Sequence, residues 1–195
     1  MNVPKLTMAL LIVSLALFTG CTKYYKTVNQ TPASFTPGAN GLSFSIVPIS
    51  FEGISREPGS QSYMESWNIS DVQKEWVEEV LLQIKAEEIT SPVRVMESAS
   101  QVTEGILVES KAISYRDEYS RINGGYLFMT VELSFTEVST GKRLFTGSLE
   151  VSSHRLGPIQ WRGVSLSGRI ALASWNVVPP IMYVIKKGKI DPETW

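Results

Sequence analysis

The sequence predicts a single α/β domain of the α+β type, with a mixed, mostly antiparallel sheet and helices packed on one face. Three observations predict this class. A long amphipathic stretch follows a first short strand, later strands follow one another through short turns, and their apolar residues alternate with polar ones. Hairpin-linked strands pair antiparallel, whereas a strand–helix–strand connection joins parallel strands, so the predicted sheet is mixed.

The first strand is predicted around residues 42–46, where apolar and serine residues alternate. This period of two is typical of a strand with one buried side. Pro48 has no backbone N–H to donate to a neighbouring strand, so the strand ends there or lies at an edge.

The next element is predicted to be an amphipathic helix that begins at Ser70 and ends near Glu88. Ser70 and Gln73 have the spacing of a capping box, and Pro92 disfavours helical geometry at the residue before it. One apolar stripe runs along this helix and predicts its buried side; it consists of Val72, Trp76, Val77, Val80, Leu81 and Ile84.

Three further strands and a hairpin are predicted after this helix. Val93 and Val95 indicate a short strand, residues 106–115 a longer one, and residues 126–138 the most regular one. The turn at residues 139–142 contains Gly141, which suits a positive φ, and a returning strand follows. In the most regular strand the predicted inward side chains are Leu127, Met129, Val131, Leu133 and Phe135.

The carboxyl-terminal stretch 170–185 is strongly apolar but contains Asn176, Pro179 and Pro180. It is too short and too interrupted for a spanning helix. We predict a helix over residues 165–178 and an extended segment over residues 181–185. Core packing is the favoured role, and contact with lipid or a partner is the alternative.

Two segments resemble a known family of periplasmic lipoprotein domains. They are Ser45-Ile46-Val47-Pro48-Ile49, and the stretch VELSFTEVSTGKRLFTG at residues 131–147. The family includes the curli-secretion lipoprotein, the lipoprotein activator of penicillin-binding proteins and the amino-terminal domain of the Tol-Pal translocation protein. The resemblance covers residues 42–153 and implies a fold and a periplasmic setting, but no activity.

The amino terminus resembles the signal of bacterial lipoproteins. Lys5 precedes an apolar run over residues 6–18, and Thr19 and Gly20 precede the only cysteine, Cys21. The resemblance implies cleavage after Gly20 and lipid attachment to Cys21. Thr22 implies sorting to the outer membrane, with the inner membrane as the alternative. An ordinary secretory signal followed by a free thiol is the other interpretation.

These observations predict three regions in the chain. Residues 1–20 are a lipoprotein signal peptide, residues 21–40 a flexible tether attached to the lipid, and residues 41–195 the periplasmic α/β domain. The tether prediction rests on polar composition, on Pro32 and Pro37, and on the lack of a helical or strand period.

Composition excludes some function classes. The formal net charge is −1, with no basic stripe, which argues against nucleic-acid binding. A single cysteine cannot form a disulfide within the chain. The oligomeric state is left open by the sequence.

The sequence contains no complete catalytic, cofactor or metal motif. Residues 163–167 approach the G-x-S-x-G elbow, but the last position is Ser and no histidine follows. The only histidine, His154, has no predicted catalytic partner. We therefore predict a non-enzyme without a cofactor, and an envelope hydrolase is the disfavoured rival.

Two loops are predicted to bind an envelope protein. The loop over residues 54–69 contains Arg56, Tyr63 and Trp67, and the loop over residues 115–125 contains Arg116 and Tyr119. Aromatic residues and arginine are enriched in binding hot spots. Folding of the aromatic residues over the sheet edge is the alternative. The predicted function is binding of an envelope protein or polymer from an outer-membrane anchor, or a role as an accessory subunit of an export assembly.

Overall fold

A computed structural model describes residues 25–39, 41–60, 68–87, 89–120, 124–153 and 165–190. These residues form one seven-stranded, mostly antiparallel sheet with helices. The strands are β1 (Tyr25–Gln30), β2 (Phe44–Ile46), β3 (Ser55–Arg56), β4 (Val93–Val95), β5 (Ile106–Ser120), β6 (Gly124–Glu137) and β7 (Lys142–Ser152).

The strand order is β1-β7-β6-β5-β2-β4, and β3 also pairs with β5. Strands β5, β6, β7 and β1 pair antiparallel, whereas β2 is parallel to both β4 and β5. The segment from β2 to β3 follows β5 along its length, with a bridge between Ser50 and Lys111. The predicted strand–helix–strand unit and the later antiparallel hairpins are therefore confirmed.

The helices are α1 (Ile69–Ala86), α2 (Leu166–Trp175) and α3 (Val178–Lys187), and a 3-10 turn spans Ala99–Gln101. They pack on the side of the sheet that we call the covered face. This face includes the predicted inward residues of β6, all of which are buried in the core. Within the described ranges, no helix combines the length and apolar character that a membrane-spanning segment requires.

The tether prediction is wrong for residues 25–39, which belong to the fold. Strand β1 pairs with β7, and Tyr25 is only 3% exposed. The backbone then follows the domain, where the Ala33 amide donates to the Gly188 carbonyl and the Ser34 amide to the Leu144 carbonyl. Phe35 contacts the rings of Phe44 and Phe135. Residues 21–24 and 40 lie outside the described residues.

The start and the buried side of α1 differ from the prediction. Asn68, not Ser70, caps the helix, because its side-chain oxygen accepts hydrogen bonds from the Ser70 amide and hydroxyl. Gln73 instead donates to the Ile49 carbonyl at 2.8 Å. Leu81 is 46% exposed, since the buried side is centred on Val72, Trp76 and Val80 and leaves Leu81 at its margin.

The carboxyl-terminal prediction is half wrong, because a second helix replaces the predicted extended segment. The first helix ends at Trp175, and α3 contains Pro179 and Pro180 in its first turn. Proline is tolerated there because first-turn amides have no partner within a helix. Gly188 ends α3 with a φ of 70°, and a side chain there would press on Pro37 and Ala33.

Candidate functional site

The side of the sheet opposite the helices is polar, and we call it the open face. In β6 it carries Phe128, Thr130, Glu132 and Ser134, which alternate with the buried core residues. Their neighbours across the strands are Arg116, Lys111 and Glu109 on β5, and Glu150 and Ser148 on β7. This side thus presents charges of both signs on a rigid sheet.

A groove of about 600 Å³ lies on the open face between β7 and the segment that follows β2. The Ser134 hydroxyl donates to the Glu109 carboxylate at 3.4 Å, while Glu132, Lys111 and Arg143 are exposed. Such a surface suits a polar partner rather than an apolar ligand. The polar residues that line the groove, through side chain or backbone, are Asn29, Ser50, Glu52, Glu109, Ser110, Lys111, Glu132, Ser134, Arg143, Thr146 and Ser148.

Arg116 lies at one end of the open face among three carboxylates. Its Nε is 2.7 Å from an oxygen of Glu118, and its Nη1 is 3.5 Å from Glu57 and 3.8 Å from Glu150. Its guanidinium carbon lies 4.7 Å from the centroid of the Phe128 ring. These contacts fix the orientation of the guanidinium on the sheet.

Arg116 is a cation shared by three carboxylates. The hydrogen bond that Arg116 donates to Glu118 is the main reason why the pKa of Arg116 is raised, and the charges of Glu118, Glu150 and Glu57 act in the same direction. One guanidinium cannot neutralise three carboxylates. Exposed ion pairs of this kind each contribute only about 0–1 kcal/mol to stability. The cluster therefore orients Arg116 on the open face more than it stabilises the fold.

The structure brings the two predicted binding loops together along β5. Arg56 is the register partner of Tyr115, and Glu57, which follows Arg56, donates its amide to the Tyr115 carbonyl at 2.9 Å. Arg56 itself is exposed and donates to the Ser60 carbonyl. Residues 115–120 and 124–125 are strand rather than loop.

Several predicted site residues lie outside the described residues. Tyr63, Trp67 and Cys21 are among them. The only histidine, His154, for which no site role was predicted, lies outside them too. Tyr119 has its backbone in β5, paired with Gly125. The roles predicted for these residues remain predictions.

The sequence did not predict the buried ion pair at Asp117. Asp117 is 3% exposed on the covered face, and Arg169 of α2 donates to its carboxylate at 3.0 Å. Its other carboxylate oxygen has no hydrogen-bond partner among the described residues. This buried ion pair connects β5 with α2.

The near match to a nucleophile elbow has a structural explanation at Ser165. Its hydroxyl oxygen accepts the Gly168 amide at 3.2 Å and caps α2. In the part of the chain that the structure describes, no group of three or more His, Cys, Asp or Glu side chains could hold a metal ion.

No protein-family model and no curated protein matches the chain. Solved structures do match over most of its length. The PelC dodecamer from Paraburkholderia phytofirmans is 18% identical, covers 77% of this chain and 94% of its own, and has a TM-score of 0.42. The lipoprotein GNA1162 from Neisseria meningitidis is 13% identical, with 72% and 98% covered and a TM-score of 0.37.

A third structure is protein XCC0632 from Xanthomonas campestris. It is 9% identical, with 80% of this chain and 88% of its own chain covered, and a TM-score of 0.46. Bacterial lipoproteins are thus among the structures that this chain resembles.

Proposed function

We propose that this protein is a non-enzymatic lipoprotein, anchored in the outer membrane through Cys21, that binds an envelope protein in the periplasm with the open face. The observation that carries the binding role is the alternation along β6. Every second residue is buried in the core, and the residues between them form a polar, grooved surface on the same rigid strand.

The anchor is supported by the sequence around Cys21. An apolar run leads to small residues and the only cysteine of the chain. Two or more acyl chains hold a protein stably on a bilayer, because each buried methylene contributes about 0.8 kcal/mol. No further membrane segment is needed for this location.

Two rival functions use the same observations. An accessory subunit of an export assembly would also use the open face, but its partners would be several subunits arranged around it. An envelope hydrolase would need a nucleophile and a base, and Ser165 is used as a helix cap. Binding of one envelope protein is the simpler proposal.

The anchor is tested by replacing Cys21 with Ser. The thioether lipid requires a thiol, so Cys21→Ser should accumulate as unprocessed precursor that does not label with radioactive palmitate. Wild-type protein should label and float with outer-membrane vesicles. Palmitate incorporation into the Ser variant would show that Cys21 is not the lipidated residue.

The binding surface is tested by reversing one charge on each side of the molecule. Glu132 is exposed on the open face, and Glu75 is exposed on α1 at the opposite side. We expect Glu132→Arg to reduce recovery of the crosslinked envelope partner several-fold, and Glu75→Arg to leave it unchanged. Both variants should melt within a few degrees of wild type. Equal recovery with both variants would remove the open face from the proposal.

A further inference from the structure

The chain enters the fold very close to its proposed lipid anchor. Tyr25 is buried at the start of β1 and pairs with Val151 of β7. Cys21 lies four residues earlier in the sequence. In any conformation, four residues span at most about 14 Å. A flexible tether of residues 21–40 would instead have a root-mean-square length of about 25 Å and a far greater maximum.

A two-stranded hairpin projects from the same end of the sheet. Tyr25, Val151, Met129 and Tyr115 form one row across β1, β7, β6 and β5. Strand β7 ends one row further on, at Ser152 opposite Phe128, whereas β5 and β6 remain paired as far as Ser120 and Gly124. We call residues 118–120 and 124–126 the hairpin arm. No other described strand pairs with it.

The hairpin arm reaches further than the anchor segment does. From Tyr115 to Ser120 the strand advances five residues, or about 17 Å at 3.3 Å per residue. Because β1 is antiparallel to β7 and β5 is antiparallel to β6, this advance runs towards the end at which β1 begins. A bilayer within about 14 Å of Tyr25 therefore meets the hairpin arm first.

We infer that the hairpin arm is a lipid-contacting surface, held against the headgroups of the membrane that carries the lipidated Cys21. The inference rests on the proposed anchor. The arm contains Tyr126, which is partly exposed and is paired with Glu118. Tyrosine is enriched at membrane–water interfaces, because its ring is apolar while its hydroxyl remains hydrated.

The inference also orients the open face. The sheet strands stand roughly along the membrane normal, with Arg116 at the near end and Arg143, close to the β6–β7 turn, at the far end. A partner on the open face would then approach from the side, and the groove near Glu132 would face the periplasm.

The test uses single introduced cysteines, which label uniquely because lipidation consumes the thiol of Cys21. Glu118→Cys places a fluorophore on the hairpin arm, Val28→Cys on the exposed edge of β1, and Lys142→Cys at the far turn. Each lipidated protein is incorporated into vesicles of phosphatidylethanolamine and phosphatidylglycerol with an acceptor on the headgroups. Energy transfer to the acceptor is then measured.

We expect transfer from position 118 to exceed transfer from position 142 several-fold. Lys142 lies opposite Glu137, in the row of Ile106, so the two labels are up to about 40 Å apart along the strands. Equal transfer from both positions would overturn the inference. Stronger transfer from position 28 than from position 118 would overturn it too, because the β1 edge would then lie on the membrane.

A longer anchor provides the second measurement. Insertion of about twenty Gly and Ser residues after Thr22 adds a flexible linker with a root-mean-square end-to-end length of about 25 Å. The contrast between positions 118 and 142 should then largely disappear, and its persistence would contradict positioning by the short anchor. Flotation separates the two proposals. Protein that does not float with vesicles refutes the anchor and the inference together, whereas protein that floats with equal transfer refutes only the inference.

Discussion

The two faces of β6 differ in what their side chains do, although they alternate along one strand. On the covered face, the fully buried Met129 and Val131 pack beneath the helices. On the open face, Thr130 and Glu132 are partly or fully exposed. The difference teaches that buried and exposed positions alternate along one strand, so exposed residues can change with little effect on stability.

The energetic contrast between the faces follows from burial. Each large side chain on the covered face contributes about 1.5–3 kcal/mol through removal from water. Ion pairs on the open face, such as Arg116 with Glu118, are partly exposed and contribute about 0–1 kcal/mol. The following substitutions test this contrast between buried and exposed positions that lie next to each other in the chain.

The largest effect is expected at Asp117, the one charged residue of the covered face within the described part of β5. Asp117→Ala should lower the free energy of unfolding by about 3–5 kcal/mol in a urea titration, because Arg169 keeps its charge at a mostly buried site. The adjacent change Glu118→Ala should lower it by no more than about 1 kcal/mol. Similar losses of unfolding free energy at both positions would show that the two faces do not differ in stability at this point of β5.

A double variant sharpens the interpretation of Asp117. Asp117→Leu combined with Arg169→Met removes both charges and should recover most of the stability lost in Asp117→Ala, since apolar pairs often replace buried ion pairs without loss. Failure to recover would mean that the carboxylate supports the structure through contacts other than Arg169.

A smaller effect is expected at the centre of β6. Leu133 is 1% exposed, whereas Glu132 beside it is exposed on the open face. Leu133→Ala should cost about 2–5 kcal/mol through lost burial and a cavity. Glu132→Ala should change stability by about 0.5 kcal/mol or less. Calorimetric melting of the two variants measures the difference directly. A larger loss for Glu132→Ala than for Leu133→Ala would mean that Glu132, and not Leu133, faces the core.

The smallest effect is expected at Leu81 on α1. Because Leu81 is 46% exposed, Leu81→Ala should cost about 1 kcal/mol or less. Val80→Ala removes fewer atoms but should cost more, because Val80 is fully buried. Chemical denaturation of both variants tests the order. A larger loss of stability for Leu81→Ala would mean that Leu81 is buried, as the sequence predicted.

The sequence predicted those parts of the fold in which side-chain periodicity reflects burial. Strand β6 and its hairpin with β7 were predicted closely because an alternating strand with one buried side has a clear period. Strand β1 was missed because, apart from Tyr25, its residues are exposed or only partly buried, and its place in the sheet depends on backbone pairing with β7. Helix α3 was missed because two prolines suggested an interruption rather than a first turn.

The candidate site was predictable in composition but not in geometry. Arg116 was singled out as a binding residue, and its exposed part does lie on the open face. Its partners Glu57 and Glu150 are distant in sequence, so only the pairing of β3 and β7 into the same sheet brings them to it. The groove was not predicted for the same reason, because it exists only between segments that the fold brings together.

The register shift in β1 between Thr27 and Asn29 has a consequence for crowding. Strand β1 forms one edge of the sheet, and a regular edge strand is a template for pairing with another molecule. The irregularity beside the exposed Val28 interrupts the row of backbone donors and acceptors. Chains held on a membrane by the proposed anchor would meet their copies often. The irregular edge disfavours the addition of a strand from a neighbouring copy.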